Sequence, residues 1–537
     1  MRYDYIVVGG GSAGCVATHR LVAEHKAKVL LLEAGGSHRR ALVNIPSGSF
    51  KMLFGKGDYF KRYVSLPQSS LAGRALEIAQ GNLLGGGSSV NAMTYMRGTK
   101  ADYEAWDQSV GNVGWGWQDM LPYFVRQEGN SRLRGPSHGS AGPLKVQDHR
   151  YVCALAYKFI ETMRALGIPQ TEDFNSGDER GVGLTQISCN AGKRSSAATA
   201  FLDPVLDDDH LMTLTRAVVT EVLFEGSQAI GVKFIRNGVS EAAYCENEVI
   251  LTGGAYNSPK VLMLSGIGPA DHLLSHGIRV KVDLPGVGQQ MQDHHMVPVF
   301  ALTLPGYGYH GQDKGLRLAL NGLRYLLQRR GPIASNGSES LAYVNLKAPA
   351  EEPTLQIYCI GTMFLPPELG KPDHGMMLCP TLIRPQSRGW MRLRSANPLD
   401  DPEFSPNYFA EPEDLKAMVD AVRYSREILG SEPLASVVRH EIVPGEGVNT
   451  DEELARFCQA STFTNYHPVG SCRMGTPDDN QAVVDPCLRV RGVSNLRILD
   501  ASIIPRIPSA NTNAPVMAIA DRGIDLMTGR ASLRAPR

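Results

Sequence analysis

Residues 4–33 form one pattern that restricts the folds open to this chain: an apolar run, a glycine-rich turn, a helix-like stretch and a second apolar run. The first run ends at Val8 and the second at Leu32, and Val, Ile and Leu dominate both. Runs of this kind are typical of parallel strands buried on both faces. Two such strands joined by a helix within about 30 residues make a βαβ unit. The pattern therefore predicts an α/β protein with a parallel sheet.

The turn of this unit has the spacing of a dinucleotide site. In Gly9-x-Gly11-x-x-Gly14 the first glycine allows the tight turn, the second lets a pyrophosphate approach the backbone, and the third permits close packing of helix on strand. The helix N-terminus offers N–H groups to the phosphates, and Glu33 is placed to bind ribose hydroxyls. The spacing does not separate FAD from NAD. The residues predicted to bind the dinucleotide here are Gly9, Gly11, Ser12, Ala13, Gly14, Glu33 and Ala34.

Length, charge and cysteine usage exclude several classes of protein. A chain of 537 residues is too long for one simple core, so we expect two domains. Lys+Arg and Asp+Glu both count 54, whereas a nucleic-acid binder normally has a basic excess. The nine cysteines are scattered without a C-x-x-C pair, which indicates reduced thiols and no metal site. With no charged-then-apolar leader and no apolar run of bilayer length, we expect a cytoplasmic protein.

Strand-like runs recur in separated parts of the chain, between residues 190 and 300 and again after residue 462. Residues 301–460 instead contain a basic helix, longer alternating strands and Pro-rich turns. We therefore predict a discontinuous nucleotide-binding domain in residues 1–150, 190–300 and 462–537. A second domain is inserted in residues 151–189 and 301–461. The glycine-rich loop at 81–91 is either a second cofactor loop or an ordinary turn.

Four sequence blocks together resemble one enzyme family. They are "GGGSAGCV…LLEAGG" at 9–36, "GNLLGGGSSVNAMTYMRGTKADYEAW" at 81–106, "GGAYNSPKVLMLSGIGP" at 253–269, and the segment from "NYHPVGSCRMG" to "NAPVMAIADR" at 465–522. Their order and spacing are similar to those of the glucose–methanol–choline (GMC) flavin oxidoreductases, in the bacterial alcohol, sorbose and choline dehydrogenase branch. The resemblance implies a discontinuous Rossmann-like FAD-binding domain with an inserted α+β substrate domain, which is built on a mostly antiparallel sheet.

By position, the resemblance also assigns FAD contacts beyond the first turn. Residues 84–91 would lie along the pyrophosphate and flavin, Val219 would meet adenine through its backbone, and residues 500–501 and 511–515 would lie under the ribityl chain. Some members attach FAD to a histidine where this chain has Val90, so the FAD is expected to be non-covalent. The further predicted cofactor residues are Leu84, Gly86, Gly87, Ser88, Asn91, Ala92, Val219, Gly254, Asp500, Ala501, Asn511, Thr512 and Pro515.

The stretch "NYHPVGS" supplies the predicted general base. His467 matches the histidine that takes the hydroxyl proton of an alcohol in this family, so that a hydride can pass to flavin N5. A neutral imidazole can do this near neutral pH, with a gain of ~10²–10⁴ in rate. Asn511 matches its partner, and because an amide cannot act as a base, His467 is the only good candidate. The rate should then fall as acid protonates the imidazole. The alternative is a structural histidine before a proline.

The substrate pocket is marked less clearly than the cofactor site. Met363 and Phe364 lie on the strand-like run "QIYCIGTMFLP", and Tyr466 precedes the predicted base, so each either lines the pocket or lies in the core. Glu339 would favour choline if it bound a cation. We favour the alternative, in which this carboxylate pairs with neighbouring groups of the second domain.

Two further segments have structural interpretations. His294 and His295, beside Asp293, are predicted to link the two domains. Residues 315–330 form an amphipathic pattern with arginines outside its apolar face. That face contains Leu316, Leu320, Leu323 and Leu327. A helix here either covers the second domain, which we favour, or docks on anionic lipid.

The predicted activity is the FAD-dependent oxidation of a neutral primary alcohol to its aldehyde, with electrons passed to a quinone-like acceptor. One alternative is an oxidase that reduces dioxygen to hydrogen peroxide. Another is a hydroxynitrile lyase, which would retain its flavin without cycling it. The expected partners are a small alcohol and an electron acceptor, without nucleic acid. The expected location is the cytoplasm, with possible peripheral contact with the inner membrane.

Overall fold

Helices and strands alternate at both ends of the chain in the computed structural model, which describes residues 2–364 and 373–531. In that part the α-helices are α1 (Ser12–His19), α2 (Ala41–Asn44), α3 (Gly48–Leu53), α4 (Lys100–Ser109), α5 (Trp117–Gln127), α6 (Ala154–Ala165), α7 (Gly254–Leu264), α8 (Ala270–Ser275), α9 (Gly315–Gln328), α10 (Pro412–Gly430), α11 (Asp451–Ser461) and α12 (Asn513–Met527).

The strands of the same part divide between two large sheets and several small sheets of two or three strands. They are β1 (Arg2–Val8), β2 (Val29–Glu33), β3 (Phe60–Val64), β4 (Glu77–Gly81), β5 (Glu128–Asn130), β6 (Leu144–Asp148), β7 (Gly181–Leu184), β8 (Gln186–Ile187), β9 (Cys189–Asn190), β10 (Lys193–Arg194), β11 (Leu211–Thr215), β12 (Ala217–Glu225), β13 (Gln228–Arg236), β14 (Val239–Leu251), β15 (Ile267–Gly268), β16 (Val282–Asp283), β17 (His295–Met296), β18 (Val299–Thr303), β19 (Ser340–Val344), β20 (Leu355–Ile360), β21 (Gly375–Leu382), β22 (Trp390–Arg392), β23 (Glu403–Ser405), β24 (Val438–Val443), β25 (Phe463–Thr464) and β26 (Leu496–Ile498).

The first large sheet has seven strands in the order β11-β2-β1-β14-β13-β12, with β26 also paired to β14. The pairs among β11, β2, β1, β14 and β26 are parallel, whereas β13 is antiparallel to both of its neighbours. Every side chain of β2 is buried, because neighbouring elements cover this strand on both faces. The predicted βαβ unit is therefore present, within a sheet of mixed direction.

The parallel strands of this sheet end at a common edge. Val8 is in register with Leu32 and with Leu251, and Leu251 is in register with Ile498. The loops that follow β1, β2, β14 and β26 therefore meet at one side of the sheet. In open α/β sheets, ligands bind in the crevice outside these carboxyl ends.

A buried charged cluster joins the two ends of the chain. Arg20, at the end of the first helical segment, pairs with Asp521 and with Asp525 (2.5 Å) on α12. Asp521 also accepts a hydrogen bond from Gln127 of α5 (3.0 Å). Buried charges of this kind are stable only when they are paired. The cluster holds α12 against the helical segment that begins with α1, so the turn that leads into α12 and the N-terminal glycine turn belong to one packed unit.

The second large sheet has the order β24-β18-β21-β20-β19-β7, with β17 bridging β21 and β25, and every pair in it is antiparallel. Successive side chains of a strand point to opposite faces. Accordingly Ile357 and Cys359 of β20 pack in the cluster that contains residues of α6 and α10, whereas Tyr358 and Ile360 pack in a separate cluster on the other face. This second face carries side chains toward the edge of the first sheet.

The predicted domain boundaries differ locally from the membership of the two sheets. Strands β17 and β25 lie in the antiparallel sheet, although residues 190–300 and 462–537 are predicted to belong to the nucleotide-binding domain. They pair there because the ladder of β21 continues past β18 onto β17. The pairing of β17 with β25 also brings His294 beside the segment that contains the predicted base.

The position of helix α9 contradicts the favoured interpretation of residues 315–330. The helix forms as predicted, but its leucine face points to solvent and Tyr325 is its buried residue. The reason is that contact with the protein is made through the opposite side, where the Tyr325 hydroxyl donates to the Gly192 carbonyl (3.0 Å). Among the described residues, none of the helices is both long and apolar enough to cross a membrane.

Candidate active site

A cavity of about 1030 Å³ is lined by loops at the carboxyl edge of the first sheet and by side chains of the second sheet. Pockets for drug-sized ligands measure about 300–1,000 Å³, so this cavity has room for a dinucleotide together with a small substrate. Its wall includes loop residues that follow β1, β2, β14 and β26. The site therefore lies at the edge that the strand directions favour.

The two glycine-rich loops pack against each other at the cavity wall. The Gly85 N–H donates to the Gly10 carbonyl (2.7 Å). A Cβ on Gly14 would lie 1.9 Å from the Gly9 carbonyl oxygen, so only glycine permits helix α1 to pack this closely on the turn. A Cβ on Gly11 would instead meet no atom closer than 3.9 Å and lies at the cavity wall. The second glycine thus leaves space for a ligand, and the third leaves space for the helix.

Glu33 combines a structural task with free hydrogen-bonding capacity. Its Oε2 accepts from the Gly10 N–H and its Oε1 from the Gly35 N–H, both at 2.7 Å. Burial raises the pKa of this carboxyl. A carboxylate offers about four lone-pair positions, so the two oxygens can still accept from a pair of ribose hydroxyls. The first turn of α1 lies beside it, with N–H groups that no side chain caps. These donors and acceptors fit an adenine dinucleotide.

Arg194 holds the second glycine-rich loop in place by hydrogen bonds, although the sequence does not single this residue out. It is buried and donates to Asn91 Oδ1 (2.7 Å) and to the Ser88 carbonyl (3.1 Å). Burial lowers the pKa of its guanidinium to about 10. Asn91, whose side chain the resemblance assigns to the flavin, is thus held in one orientation. Arg194 lies in the hairpin β9–β10, far from this loop in sequence, and no motif marks it.

Asp500 is placed at the cavity with its carboxylate already engaged. Oδ2 accepts from the Gly254 N–H (2.8 Å) and the Ser258 hydroxyl (2.5 Å), and Oδ1 accepts from the Ser502 N–H and hydroxyl. Four accepted bonds fill the usual capacity of a carboxylate. Asp500 therefore fixes the turn at Gly254, which has φ +82° and open space above its Cα. Any contact between Asp500 and a cofactor would therefore be made by the main-chain atoms of this residue.

The predicted cofactor residues divide into those at the cavity wall and those behind it. The wall contains Gly9, Gly11, Ser12, Ala13, Glu33, Ala34, Gly86, Gly87, Asn91, Ala92, Val219, Gly254, Asp500, Ala501, Asn511 and Thr512. Four others do not line the cavity, so their predicted contact with the cofactor would have to be indirect: Gly14, Leu84, Ser88 and Pro515. They support the wall, because Gly14 packs on Gly9, Leu84 lies under Gly10, Ser88 donates to the Gly85 carbonyl and Pro515 is buried in α12.

His467 and Asn511 meet at the wall of this cavity. The Asn511 amide nitrogen lies 3.3 Å from His467 Nε2, and its oxygen accepts from the Tyr358 hydroxyl (3.1 Å). The backbone N–H of His467 donates to Asp293 Oδ1 (2.8 Å), and Asp293 Oδ2 also accepts from Thr464 (2.6 Å). Tyr358 fixes which end of the amide faces the imidazole. Tyr358 belongs to the same strand-like run from which Met363 and Phe364 are predicted to face the substrate, but that prediction does not include it.

His294 decides the protonation of the base, although the sequence suggested only a structural role. Its Nε2 lies 3.2 Å from the Ile383 carbonyl, which can only accept, so this nitrogen carries a hydrogen. Burial and the neighbouring His467 hold the pKa of His294 well below its ordinary value, so its Nδ1 is an acceptor. His467 Nδ1 lies 3.0 Å away and must donate to it. By this hydrogen-bond network, His467 Nε2 is left unprotonated toward Asn511.

Burial changes the pH dependence expected from the sequence. It lowers the pKa of His467 to about 3. Because the base acts in its neutral form, a lowered pKa keeps it competent until the pH falls toward that value. We expect the rate of substrate-dependent flavin reduction to be flat between about pH 5 and 8. Stopped-flow measurements across this range test this. An inflection near ~6.5, the ordinary imidazole pKa, would contradict the lowered pKa, although it would still agree with an imidazole as the base.

The predicted substrate residues are only partly at the cavity. Phe364 and Tyr466 line it, whereas Met363 is buried away from the wall in an apolar cluster with Met377 and packs on Gly375. Met363 therefore takes the core position of the two alternatives, because it packs closely on β21. The second-sheet side chains at the wall are uncharged. They are Met296, Phe300, Tyr358, Ile360, Met377, Cys379, Val443 and Phe463.

Glu339 does not line the cavity. It is buried, accepts from the hydroxyls of Tyr309 and Ser335, and lies 3.5 Å from Cys153 Sγ. The paired interpretation is therefore the one that the structure supports. Outside the wall, possible metal ligands of His310, Asp373 and His374 lie within 4.8 Å of one another, a grouping that no sequence motif indicates.

Comparison with known proteins identifies the family. The sequence profile of the GMC oxidoreductases matches residues 3–296 and 385–520. An alcohol dehydrogenase [acceptor] of Pseudomonas putida is 38% identical over 99% of this chain and 96% of its own length. The mitochondrial choline dehydrogenase of Homo sapiens is 39% identical over 99% of this chain and 91% of its length.

A solved structure agrees with these sequence matches. The formate oxidase of Aspergillus oryzae RIB40, studied for modification of its FAD, superposes with a TM-score of 0.90. Its sequence is 26% identical, and the match covers 98% of each chain. The fold, the two glycine loops and the full-length matches agree, and the chain belongs to the glucose–methanol–choline oxidoreductase family.

Proposed function

We propose that this protein oxidises neutral, apolar primary alcohols to aldehydes with FAD as its cofactor. One observation carries the proposal: the His467 imidazole has its Nε2 3.3 Å from the oriented Asn511 amide, at the wall of a cavity that two glycine loops also line. A base and a hydrogen-bond donor at one point are what removal of a hydroxyl proton requires.

The residues at the wall are the ones that would hold FAD. The glycine turn and α1 would face the pyrophosphate, Glu33 the ribose, and the loop with Asn91 the flavin, and all of them lie at the cavity wall. Bound FAD supplies a hydride acceptor at N5 of its isoalloxazine ring. Val90 is buried and lines the cavity, and it has no nucleophilic atom for a covalent bond. The FAD is therefore non-covalent and is released when the protein is denatured.

The chain's own groups act on the hydroxyl of the substrate. The Asn511 amide donates to the alcohol oxygen and orients it, while Tyr358 keeps that amide from rotating. His467 Nε2 takes the hydroxyl proton, and the bond from its Nδ1–H to His294 strengthens as the ring becomes charged. With the proton removed, the carbinol carbon could give its hydride to the acceptor that bound FAD would supply, which leaves the aldehyde. Anaerobic bleaching of the flavin by an alcohol tests this activity, since a hydroxynitrile lyase would stay yellow.

The uncharged wall provided by the second sheet favours alcohols over choline. Acidic side chains at the cavity are Glu33, Asp401 and Asp500, and none of these comes from the described strands of the second sheet. An ammonium group buried without a partner carboxylate is disfavoured. We expect kcat/KM for 3,3-dimethylbutan-1-ol, the uncharged isostere of choline, to exceed that for choline by tenfold or more, about 1.4 kcal/mol. Steady-state assays with an artificial acceptor measure the ratio, and equal values would refute the preference.

The electron acceptor is proposed to be quinone-like, in a protein of the cytoplasm with peripheral contact with the inner membrane. The similarity to an alcohol dehydrogenase [acceptor] supports a carrier other than dioxygen. Assays that compare a soluble quinone with dioxygen, while hydrogen peroxide is recorded, distinguish the dehydrogenase from the oxidase. Stoichiometric peroxide at an undiminished rate would identify the oxidase instead.

A further inference from the structure

Helix α9 presents an apolar face to solvent. Leu316 and Leu327 are 75% and 74% exposed, and Leu320 and Leu323 are 56% and 54% exposed. Their spacing places all four on the side of the helix opposite Tyr325, which is buried. Asn321, near the buried side, donates to the Gln312 carbonyl (2.9 Å). The helix is thus anchored by one face and leaves a contiguous leucine face uncovered, a feature that marks an interaction site.

The charged residues of α9 and of the residues that directly flank it from 314 to 330 are all basic. From residue 314 to residue 330 the chain has no acidic residue. The basic residues of this segment are Lys314, Arg317, Arg324, Arg329 and Arg330. On the helix, Arg317 and Arg324 are seven residues apart and therefore lie along one flank of the leucine face. Long basic side chains beside an apolar stripe match the interface of a membrane with anionic headgroups.

We propose that α9 docks this protein on the surface of an anionic lipid bilayer. The leucine face enters the boundary between headgroups and acyl chains, and the basic residues contact lipid phosphates. The leucine spacing of four, three and four residues also suits pairing with a second copy. Charge opposes that occupant, because a pair of α9 helices would bring two basic segments together without an acidic partner. An anionic bilayer complements both the apolar face and the charge.

The docking face is connected to the mouth of the cavity. The turn after α9 contacts the segment 41–53 through the Ser47 N–H, which donates to the Ile333 carbonyl (3.2 Å). Phe50 of that segment and Phe54 directly after it pack against Phe364 in tilted arrangements, with ring centroids 4.7 and 5.1 Å apart. All three rings line the cavity. If the proposed function holds, apolar alcohols and a quinone-like acceptor would reach the cavity from the lipid.

Vesicle co-sedimentation of the holoenzyme tests the docking face without turnover. We expect binding to phosphatidylcholine vesicles that contain phosphatidylglycerol, at least about tenfold weaker binding to phosphatidylcholine alone, and weakening by salt. The double variant Leu320→Gln/Leu323→Gln should lose binding to both. Arg317→Gln/Arg324→Gln should lose the preference for anionic lipid. Leu274→Gln, an exposed leucine on α8, is the matched control and should bind like the wild type.

Two outcomes would overturn this proposal. In one, the wild type stays in the supernatant with anionic vesicles, or the leucine variant binds them as well as the wild type does. In the other, light scattering shows a dimer that the leucine variant dissolves, without any vesicle binding, which would identify a second copy as the occupant. Turnover with a soluble dye should be equal in all variants, so a failure of the proposed alcohol oxidation is recognised separately.

Discussion

His467→Ala is expected to keep its flavin and its fold but to reduce that flavin with an alcohol ~10²–10⁴ times more slowly than the wild type. The loss follows because His467 Nε2 is the unprotonated nitrogen beside Asn511, and a methyl group cannot take a proton. The bond that holds this segment, from the His467 backbone N–H to Asp293, remains in the variant. Anaerobic stopped-flow bleaching gives the rate, and the visible spectrum and melting temperature report flavin content and folding.

Two further variants distinguish the loss of the base itself from the loss of an unrelated histidine and of the hydrogen bond that the base makes to His294. His440→Ala removes an exposed histidine of β24 and should leave the rate unchanged. His294→Leu keeps the base but removes the acceptor of its Nδ1–H, and a drop of about tenfold corresponds to one hydrogen bond of ~1.4 kcal/mol. Normal bleaching in His467→Ala would show that another group takes the proton.

Gly11→Val is expected to yield a folded but colourless protein without turnover. The residue has φ −73° and ψ −164°, which any amino acid adopts, and its Cβ would meet no protein atom within 3.9 Å. The added side chain therefore occupies the space in which a pyrophosphate approaches the turn. Flavin absorbance and thermal melting with and without added FAD measure the effect. At about 100 times its dissociation constant FAD stabilises the wild type by ~2.7 kcal/mol, and this gain should vanish.

Other glycines provide the comparison for this variant. Gly430→Val, where a Cβ also has open space but lies outside the cavity, should remain yellow and active. Gly14→Ala should lower the melting temperature of the apoprotein, since its Cβ would lie 1.9 Å from the Gly9 carbonyl oxygen. A yellow, active Gly11→Val protein would show that the cofactor does not approach this turn.

The residues that local spacing alone identified share one cause. The turn at 9–14 and Glu33 belong to one βαβ unit of consecutive elements, so spacing along the chain reports their geometry. The residues that it missed act across long separations. His294 meets His467 over 173 positions, Tyr358 meets Asn511 over 153, and Arg194 meets Asn91 over 103. Such contacts depend on how two sheets face each other, which no local pattern records.

Helix α9 and His467 illustrate the difference between what the sequence alone determines and what only the tertiary structure decides. The period of the leucines predicts the helix, but only packing at Tyr325 directs their face outward. The residue type of His467 supplies a base, but burial sets its pKa and His294 sets which nitrogen is free. Backbone periodicity and steric limits act between neighbours in sequence and can be read there. Burial, protonation and the direction of an apolar face depend on atoms brought together by folding.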